Sequence, residues 1–300
     1  MYDIIIIGGG PAGLTATIYA IRKRLNVLMV AEDLGGKTNF QMDLRDKDQH
    51  LVIRGTEVVE KFKRELEYLN FARHMENVER IDRANDHFVI KTSAGGELLS
   101  KTVIVATGAR VQWLDVPGEQ QFRGKGLGYS ALSYAPLFLD KKAVVVGKGE
   151  LALRSAAELA TVAEEVHLVG PSGALLATPL GKKLLSSKNV TVMEGYRVTQ
   201  VLGNGFCDAV MVEGPQGFET EIEADGVFVE MAVIPNSEMV AHMVERDVRG
   251  RIIVDSVGRT NVPGLFAAGD VTTTTEQVLV AIGEGAKAAL SAYEYLLPSL

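Results

Sequence analysis

Cysteine is almost missing from this chain: among 300 residues only Cys207 carries a thiol. One thiol excludes an intrachain disulfide and a Cys-x-x-Cys redox pair, and it suits a reducing cytoplasm. Nothing in the sequence calls for a metal. Long apolar runs are lacking as well, and none approaches the ~20 residues that span a bilayer. Positive charge is in the minority, with 31 Lys and Arg against 38 Asp and Glu, a net charge of −7. With no Lys/Arg block, that balance argues against a nucleic-acid or anionic-membrane surface. The chain starts a strand at once, without a basic region and apolar leader, so the expected location is the cytoplasm. What remains is the composition of an ordinary globular protein, 47% apolar and 23% charged, long enough for two domains.

Glycine is plentiful, and two clusters of it are patterned. Ile4-Ile5-Ile6-Ile7 runs into Gly8-Gly9-Gly10-Pro11-Ala12-Gly13, and Ala143-Val144-Val145-Val146 runs into Gly147-Lys148-Gly149-Glu150-Leu151-Ala152. Each is a short buried strand, a glycine turn and then an apolar-periodic helix (Leu14 to Ile21; Leu151 to Ala163). In such a turn the first Gly bends the chain, the second lets backbone approach a pyrophosphate, and the third position packs helix on strand. The helix dipole then favours the pyrophosphate charge. One such motif is weak on its own; two in the correct context point to a protein built around two dinucleotide sites.

Each motif opens a similar series. After the first come a second strand from Asn26 to Val30, a helix from about Thr56 to Leu69 with Val58, Val59, Phe62, Leu66 and Leu69 on one face, and a meander over 71–106. After the second come a strand at Val166–Val169, a polar meander from Val190 to Val212 and a buried strand at Gly226–Val229. Pro117-Gly118 and Pro235-Asn236-Ser237 mark two linkers, and the tail returns through Gly264–Asp270 to a long helix from Gln277 to Leu296. The expected fold is α/β, with two Rossmann-like, three-layer (ββα) domains. Residues 1–115 and 238–300 form the first, and 116–237 are inserted as the second.

The ordered marks Gly8–Gly13, Gly35-Gly36, Ala106-Thr107-Gly108-Ala109, Val116-Pro117-Gly118-Glu119, Gly269-Asp270 and Gln277-Val278 resemble the low-molecular-weight thioredoxin reductase family of FAD-dependent pyridine nucleotide–disulfide oxidoreductases. The resemblance covers essentially the whole chain. It implies FAD in the first domain, a nicotinamide dinucleotide in the second, and a homodimer. It also implies roles for residues here. Gly8, Gly10, Pro11, Ala12 and Gly13 would meet the FAD pyrophosphate, Glu32 the adenosine ribose and Val78 the adenine. Gly36, Lys37, Asn39, Ala106, Thr107 and Gly108 would lie on the flavin side, Gly269 and Asp270 at the ribityl chain, and Gln277 and Val278 at the pyrimidine edge. Taken singly, each glycine has an ordinary turn as its alternative, and Asp270 a helix cap.

The chain departs from that family where electrons are handled. Its redox cysteines fall on Ser130 and Ser133, whose hydroxyls cannot form a two-electron pair. Tyr134 replaces the acid that follows them. The strand Val166–Val169 leads into Gly170-Pro171-Ser172-Gly173, a run with no arginine for a 2′-phosphate and no acid for a ribose, so NAD(P)H is a doubtful ligand. Gly147, Lys148, Gly149 and Ala152 still keep the turn for a second nucleotide, with Lys148 either on a phosphate or in solvent. Lys37 replaces a neutral glutamine, and Asp43 to His50 reads as a solvated, charged loop.

The expectation is therefore an FAD-dependent oxidoreductase like thioredoxin reductase but without its disulfide, its FAD reduced by a donor other than NADPH. The alternatives are a weak NAD(P)H-dependent flavin or ferredoxin-type reductase, and a non-enzymatic FAD-binding sensor or scaffold. The donor and acceptor are unnamed, a small redox protein among them. Tyr129 and Tyr134 either stack on the flavin or pack within the protein.

Overall fold

In the computed structural model, residues 1–45 and 56–300 are described. They fall into two compact units: Met1–Asn39, 56–110 and Ile234–Leu300 in one, 40–45 and Val111–Val233 in the other.

The first unit begins with β1 (Tyr2–Ile7), α1 (Pro11–Arg22), β2 (Val27–Ala31), α2 (Thr56–Tyr68), β3 (Arg73–Met75), β4 (Val78–Ala84), β5 (His87–Thr92) and β6 (Glu97–Val105). β7 (Ala109–Val111) leads out of it. The second holds α3 (Glu119–Phe122), β8 (Leu127–Gly128), α4 (Ala131–Tyr134), β9 (Lys142–Val146), α5 (Glu150–Leu159), β10 (Glu165–Val169), α6 (Gly173–Leu176), α7 (Pro179–Ser186) and β11 (Val190–Met193). Then follow β12 (Arg197–Asn204), β13 (Phe206–Glu213), β14 (Glu219–Glu223) and β15 (Gly226–Val229). The chain returns through β16 (Val233–Pro235), which pairs with β7, to β17 (Leu265–Ala267) and α8 (Val278–Leu296) of the first unit.

Both units follow one plan. The first has parallel strands in the order β3-β2-β1-β6-β17, with β6 also pairing antiparallel to β5 and so joining the meander β4-β5-β6. The second has β11-β10-β9-β15-β8, also parallel, and a separate meander β12-β13-β14. Strands covered on both faces need continuous apolar runs, which is why four isoleucines make up most of β1. Ile4 and Ile6 point into a core with Leu14 and Ile18 of α1, Leu66 of α2 and Ala288 of α8. Ile5 and Ile7 point to the other face, onto Val78, Ile81 and Phe88 of the meander. In the second unit Ala143 and Val145 meet Leu153 and Ala156 of α5, while Val144 and Val146 meet Val198 and Val210. The period of two thus builds a helix layer, a sheet and a meander.

Two expectations change. Val190–Met193 belongs to the parallel sheet, in register with Val166–Val169, because its partly apolar residues complete an edge next to β10; the meander starts only at Arg197. Val58 is exposed, since α2 presents Val59 and Leu66 to the core instead. In the charged loop expected from Asp43, Asp43 and Arg45 are exposed, and the start is also held by the Asp43 N–H donating to the Gly124 carbonyl and by Arg45 reaching the Asn204 carbonyl at 2.7 Å. Its remainder, 46–50, lies outside the described residues.

Candidate functional site

At the end of β1 the chain turns at Gly8 with φ +110°, and a Cβ there would lie 2.3 Å from the Ala106 carbonyl oxygen. A side chain on Gly13 would strike the Gly8 carbonyl at 1.9 Å. These positions are closed by backbone, and only glycine passes. Gly10 is the opposite case: its Cβ would meet nothing within 4 Å. Gly10 also caps α1 without any side-chain hydrogen bond, and Pro11 stands in the first turn. The leading N–H groups of α1 therefore face open space with no protein cap, an arrangement suited to an anion.

Residues from distant segments gather round this turn. Gly35 donates its N–H to Gly9 at 2.7 Å, and a Cβ on Gly36 would lie 3.2 Å from the Gly10 Cα. Lys37 Nζ sits 2.5 Å from Asp270 Oδ2 and 3.8 Å from Glu276 Oε2. Partial burial lifts the Glu276 carboxyl above the ordinary carboxylate range; Lys37 opposes the shift and Asp270 adds to it. The Gly269 N–H donates to Glu284 at 2.8 Å. Gln277 is exposed and caps α8, again without a side-chain hydrogen bond, and Val278 begins the helix.

Thr107 is locked from both sides. Its hydroxyl donates to the Asn236 carbonyl at 2.6 Å, the Asn236 amide returns a bond to the Thr107 carbonyl at 2.9 Å, and the Asn236 N–H reaches Gly108 at 3.0 Å. Other expected residues stand further out. Glu32 is exposed just past β2. Val78 is buried in the meander core. The Asn39 amide is already engaged by the protein, donating to Leu34 of its own loop at 3.0 Å and accepting from Lys63 of α2 at 3.3 Å. Sequence reasoning missed Asn236, treated only as part of a linker, and Glu276, whose neighbour in space is more than two hundred positions away in the chain.

The second turn repeats the first in outline. A Cβ on Gly147 would lie 2.3 Å from the Glu230 carbonyl, whereas one on Gly149 would meet nothing within 4 Å. Gly149 caps α5 with no side-chain hydrogen bond, Ala152 is fully buried, and Lys148 is exposed. The strand-end run Gly170–Gly173 has no acid of its own, but one arrives from β11: a Cβ on Gly173 would lie 2.5 Å from Glu194 Oε1.

Ser130 and Ser133 share a hydrogen bond at 3.0 Å. Beneath them Glu230, 3% exposed, accepts from the Ala131 N–H at 2.8 Å and the Ser155 hydroxyl at 3.0 Å. Tyr134 is buried against Phe228, and its hydroxyl accepts from the Met42 N–H at 3.0 Å. Tyr129 stacks on Phe40 with centroids 4.7 Å apart and stands edge-on to Trp113. Cys207 is buried in β13, and its thiol is pushed up to about 12 by loss of solvation and the neighbouring Asp208 charge, so almost none is thiolate near neutrality.

Residues 2–285 match the family described as "Pyridine nucleotide-disulphide oxidoreductase". The "NADH dehydrogenase" of Bacillus subtilis is 36% identical over 300 residues, covering 99% of this chain and 59% of that protein. A component of the alkyl hydroperoxide reductase of Pseudomonas putida is 35% identical over 307 residues, covering 99% and 58%. The chain thus spans about three-fifths of the length of these curated relatives. Among solved structures, thioredoxin reductase from Streptococcus pyogenes superposes with a TM-score of 0.86 at 31% identity, covering 100% of this chain and 99% of the other. Thioredoxin reductase from Giardia duodenalis gives 0.85 at 29%, covering 99% of each.

Proposed function

The chain belongs to the pyridine nucleotide-disulphide oxidoreductases, and from that premise we propose a flavin-dependent oxidoreductase that works without an internal dithiol and takes electrons from a donor other than NADPH. One observation carries the reading: both units keep an uncapped glycine turn open to a ligand, while the only thiol among the described residues is buried and protonated. The kept turns argue for two dinucleotide sites, and hence for an enzyme over a scaffold. The hydrogen-bonded serine pair argues against dithiol exchange. The name of the Bacillus relative, NADH dehydrogenase, supports a non-phosphorylated donor.

FAD fits the first unit, since Gly10 leaves space where Gly8 and Gly13 leave none. Gly8, Gly10, Pro11, Ala12 and Gly13 would hold its pyrophosphate at the start of α1, Glu32 its ribose, and Val78 would border the adenine. Gly36, Lys37, Asn39, Ala106, Thr107 and Gly108 would line the flavin, with Gln277 and Val278 at its polar edge. Asp270 has one carboxylate oxygen on Lys37 and acceptor capacity left for the ribityl hydroxyls. When bound, FAD supplies two-electron chemistry. Lys37 would place a cation near it, and that cation would favour added negative charge on the ring. The reading includes a homodimer, a cytoplasmic location and a small redox protein as acceptor, while among the described residues no helix is long and apolar enough to cross a membrane.

The test is anaerobic stopped-flow absorbance at the flavin band, mixing the purified protein separately with NADPH, NADH and dithionite. The expected preparation is yellow, with close to one FAD per chain, bleached by dithionite and not by NADPH, and inactive toward thioredoxin. A colourless protein that cannot be reconstituted overturns the flavin reading. Rapid bleaching by NADPH overturns the donor.

A further inference from the structure

The second unit holds a carboxylate beside its glycine turn that the proposed function leaves unused. This step rests on the reading of its glycine turn as a nucleotide site. β9, β10 and β11 end side by side: the Gly147 N–H donates to Val169 at 3.0 Å, and the Gly170 N–H donates to Met193 at 3.0 Å. The residue after Met193 is Glu194, and its carboxylate folds back over the turn that follows β10. Oε1 would lie 2.5 Å, and Oε2 4.0 Å, from a Cβ on Gly173, so the carboxylate occupies the place a side chain would take. Glu194 is exposed, and its carboxylate has no hydrogen-bond or ion-pair partner among the described residues.

In this architecture the adenosine ribose lies beside the glycine turn at the end of the motif's second strand, here β10. Two chemistries are possible at that spot. A carboxylate accepts hydrogen bonds from the ribose hydroxyls, whereas a 2′-phosphate needs a guanidinium. Gly170, Pro171, Ser172 and Gly173 offer no cation. A phosphate set beside Glu194 would instead meet a like charge. Lys148 is the cation of the turn itself, which would hold the pyrophosphate that both dinucleotides share.

We infer that Glu194 is the specificity-determining residue of the second unit: it accepts from the hydroxyls of an unphosphorylated adenosine ribose, so that NADH is the dinucleotide bound and NADPH is rejected. The acid that such sites usually carry on their second strand has been lost at Gly170 and supplied from the third.

Titration calorimetry on the FAD-loaded protein tests this with NAD and NADP, for the natural chain and for Glu194→Gln, Glu194→Arg and Lys148→Ala. The natural chain should favour NAD by about tenfold to a hundredfold, the worth of hydrogen bonds to a charged acceptor. Glu194→Gln should shrink that ratio and Glu194→Arg should invert it. Lys148→Ala should weaken both ligands and leave the ratio in place. Glu194 is exposed, so flavin content and melting temperature should not move, and a shift in either would flag an effect on folding, in which case the ratio from the milder Gln variant decides. A natural chain that prefers NADP, or a ratio unchanged in both Glu194 variants, overturns the inference while leaving a dinucleotide site in place. No binding of either ligand to any variant overturns the underlying reading, and the inference with it.

Discussion

Gly8 and Gly147 occupy the same step of the same turn in the two units, and each would put a Cβ 2.3 Å from a carbonyl oxygen of a neighbouring strand end. Gly10 and Gly149 follow two residues later, and each faces open space. Beyond that shared turn the units diverge. In the first, three charged groups from two segments converge, with Lys37 paired to Asp270 and near Glu276. In the second, one carboxylate comes over from the adjoining strand, and a buried glutamate braces the serine turn. Backbone packing fixes the turn wherever a dinucleotide is to be held. The charges around it differ between the units, and under the proposed reading it is they that select the ligand.

The sharpest way to break this comparison is to fill the glycines. Gly8→Ala and Gly147→Ala each force a methyl into backbone and should cost about 3 kcal/mol or more, with Gly8→Ala the worse because of its positive φ. Gly10→Ala and Gly149→Ala should cost no more than ~1 kcal/mol, with Gly10→Ala alone reducing flavin retention. Urea titrations and the flavin-to-protein absorbance ratio report both quantities. A tolerated Gly147→Ala, or a Gly10→Ala that fails to fold, would dissolve the distinction between closed and open positions.

A second test separates the charges from the turn. Asp270→Ala should weaken FAD binding by about 1–3 kcal/mol, because a largely buried acceptor is lost and Lys37 is left without its closest partner. Lys37→Gln should cost less, within ~1 kcal/mol, since the pair is partly open to solvent. Lys148→Ala, on the exposed turn of the second unit, should change stability by no more than ~0.5 kcal/mol. An Asp270→Ala variant that holds FAD as tightly as the natural chain would mean that the Asp270 carboxylate does not meet the cofactor.

Much of this was legible in the sequence because it rests on local patterns. The isoleucine run, the two glycine turns and Pro11 at a helix start each specify their own structure within a dozen residues. What was not legible is contact between segments distant along the chain. Glu194 follows β11, and nothing in its neighbours says that it will cover Gly173; only the parallel pairing of β10 with β11 brings it there. Asn236 looked like punctuation in a Pro-Asn-Ser break, yet it clamps Thr107 across 129 positions. Nothing local to Tyr134 says that its hydroxyl accepts from the Met42 N–H rather than facing a flavin. The paired ends of strands explain the first two, and three-dimensional packing the third.

The smallest expected effect concerns the crowding of charge around Lys37, which has no counterpart at the second turn. Glu276 is raised by partial burial, reinforced by Asp270, while Lys37, Arg251 and Arg249 pull the other way. A carboxylic acid held above its ordinary value binds protons more tightly folded than unfolded. Its contribution to stability is therefore present below the unfolded value of 4.5 and is lost as pH rises through the folded one. At neutral pH the ionised Glu276 is a mild burden, and Glu276→Gln should lift it. The variant should be slightly more stable than the natural chain at pH 7 and indistinguishable from it near pH 4, measured by urea unfolding of the FAD-loaded protein at both values. Its carboxylate is about 40% exposed, so the gain should be small. A loss of stability at pH 7 would mean that the attraction of Lys37 outweighs desolvation, and that the three charges of the first unit form a stabilising network.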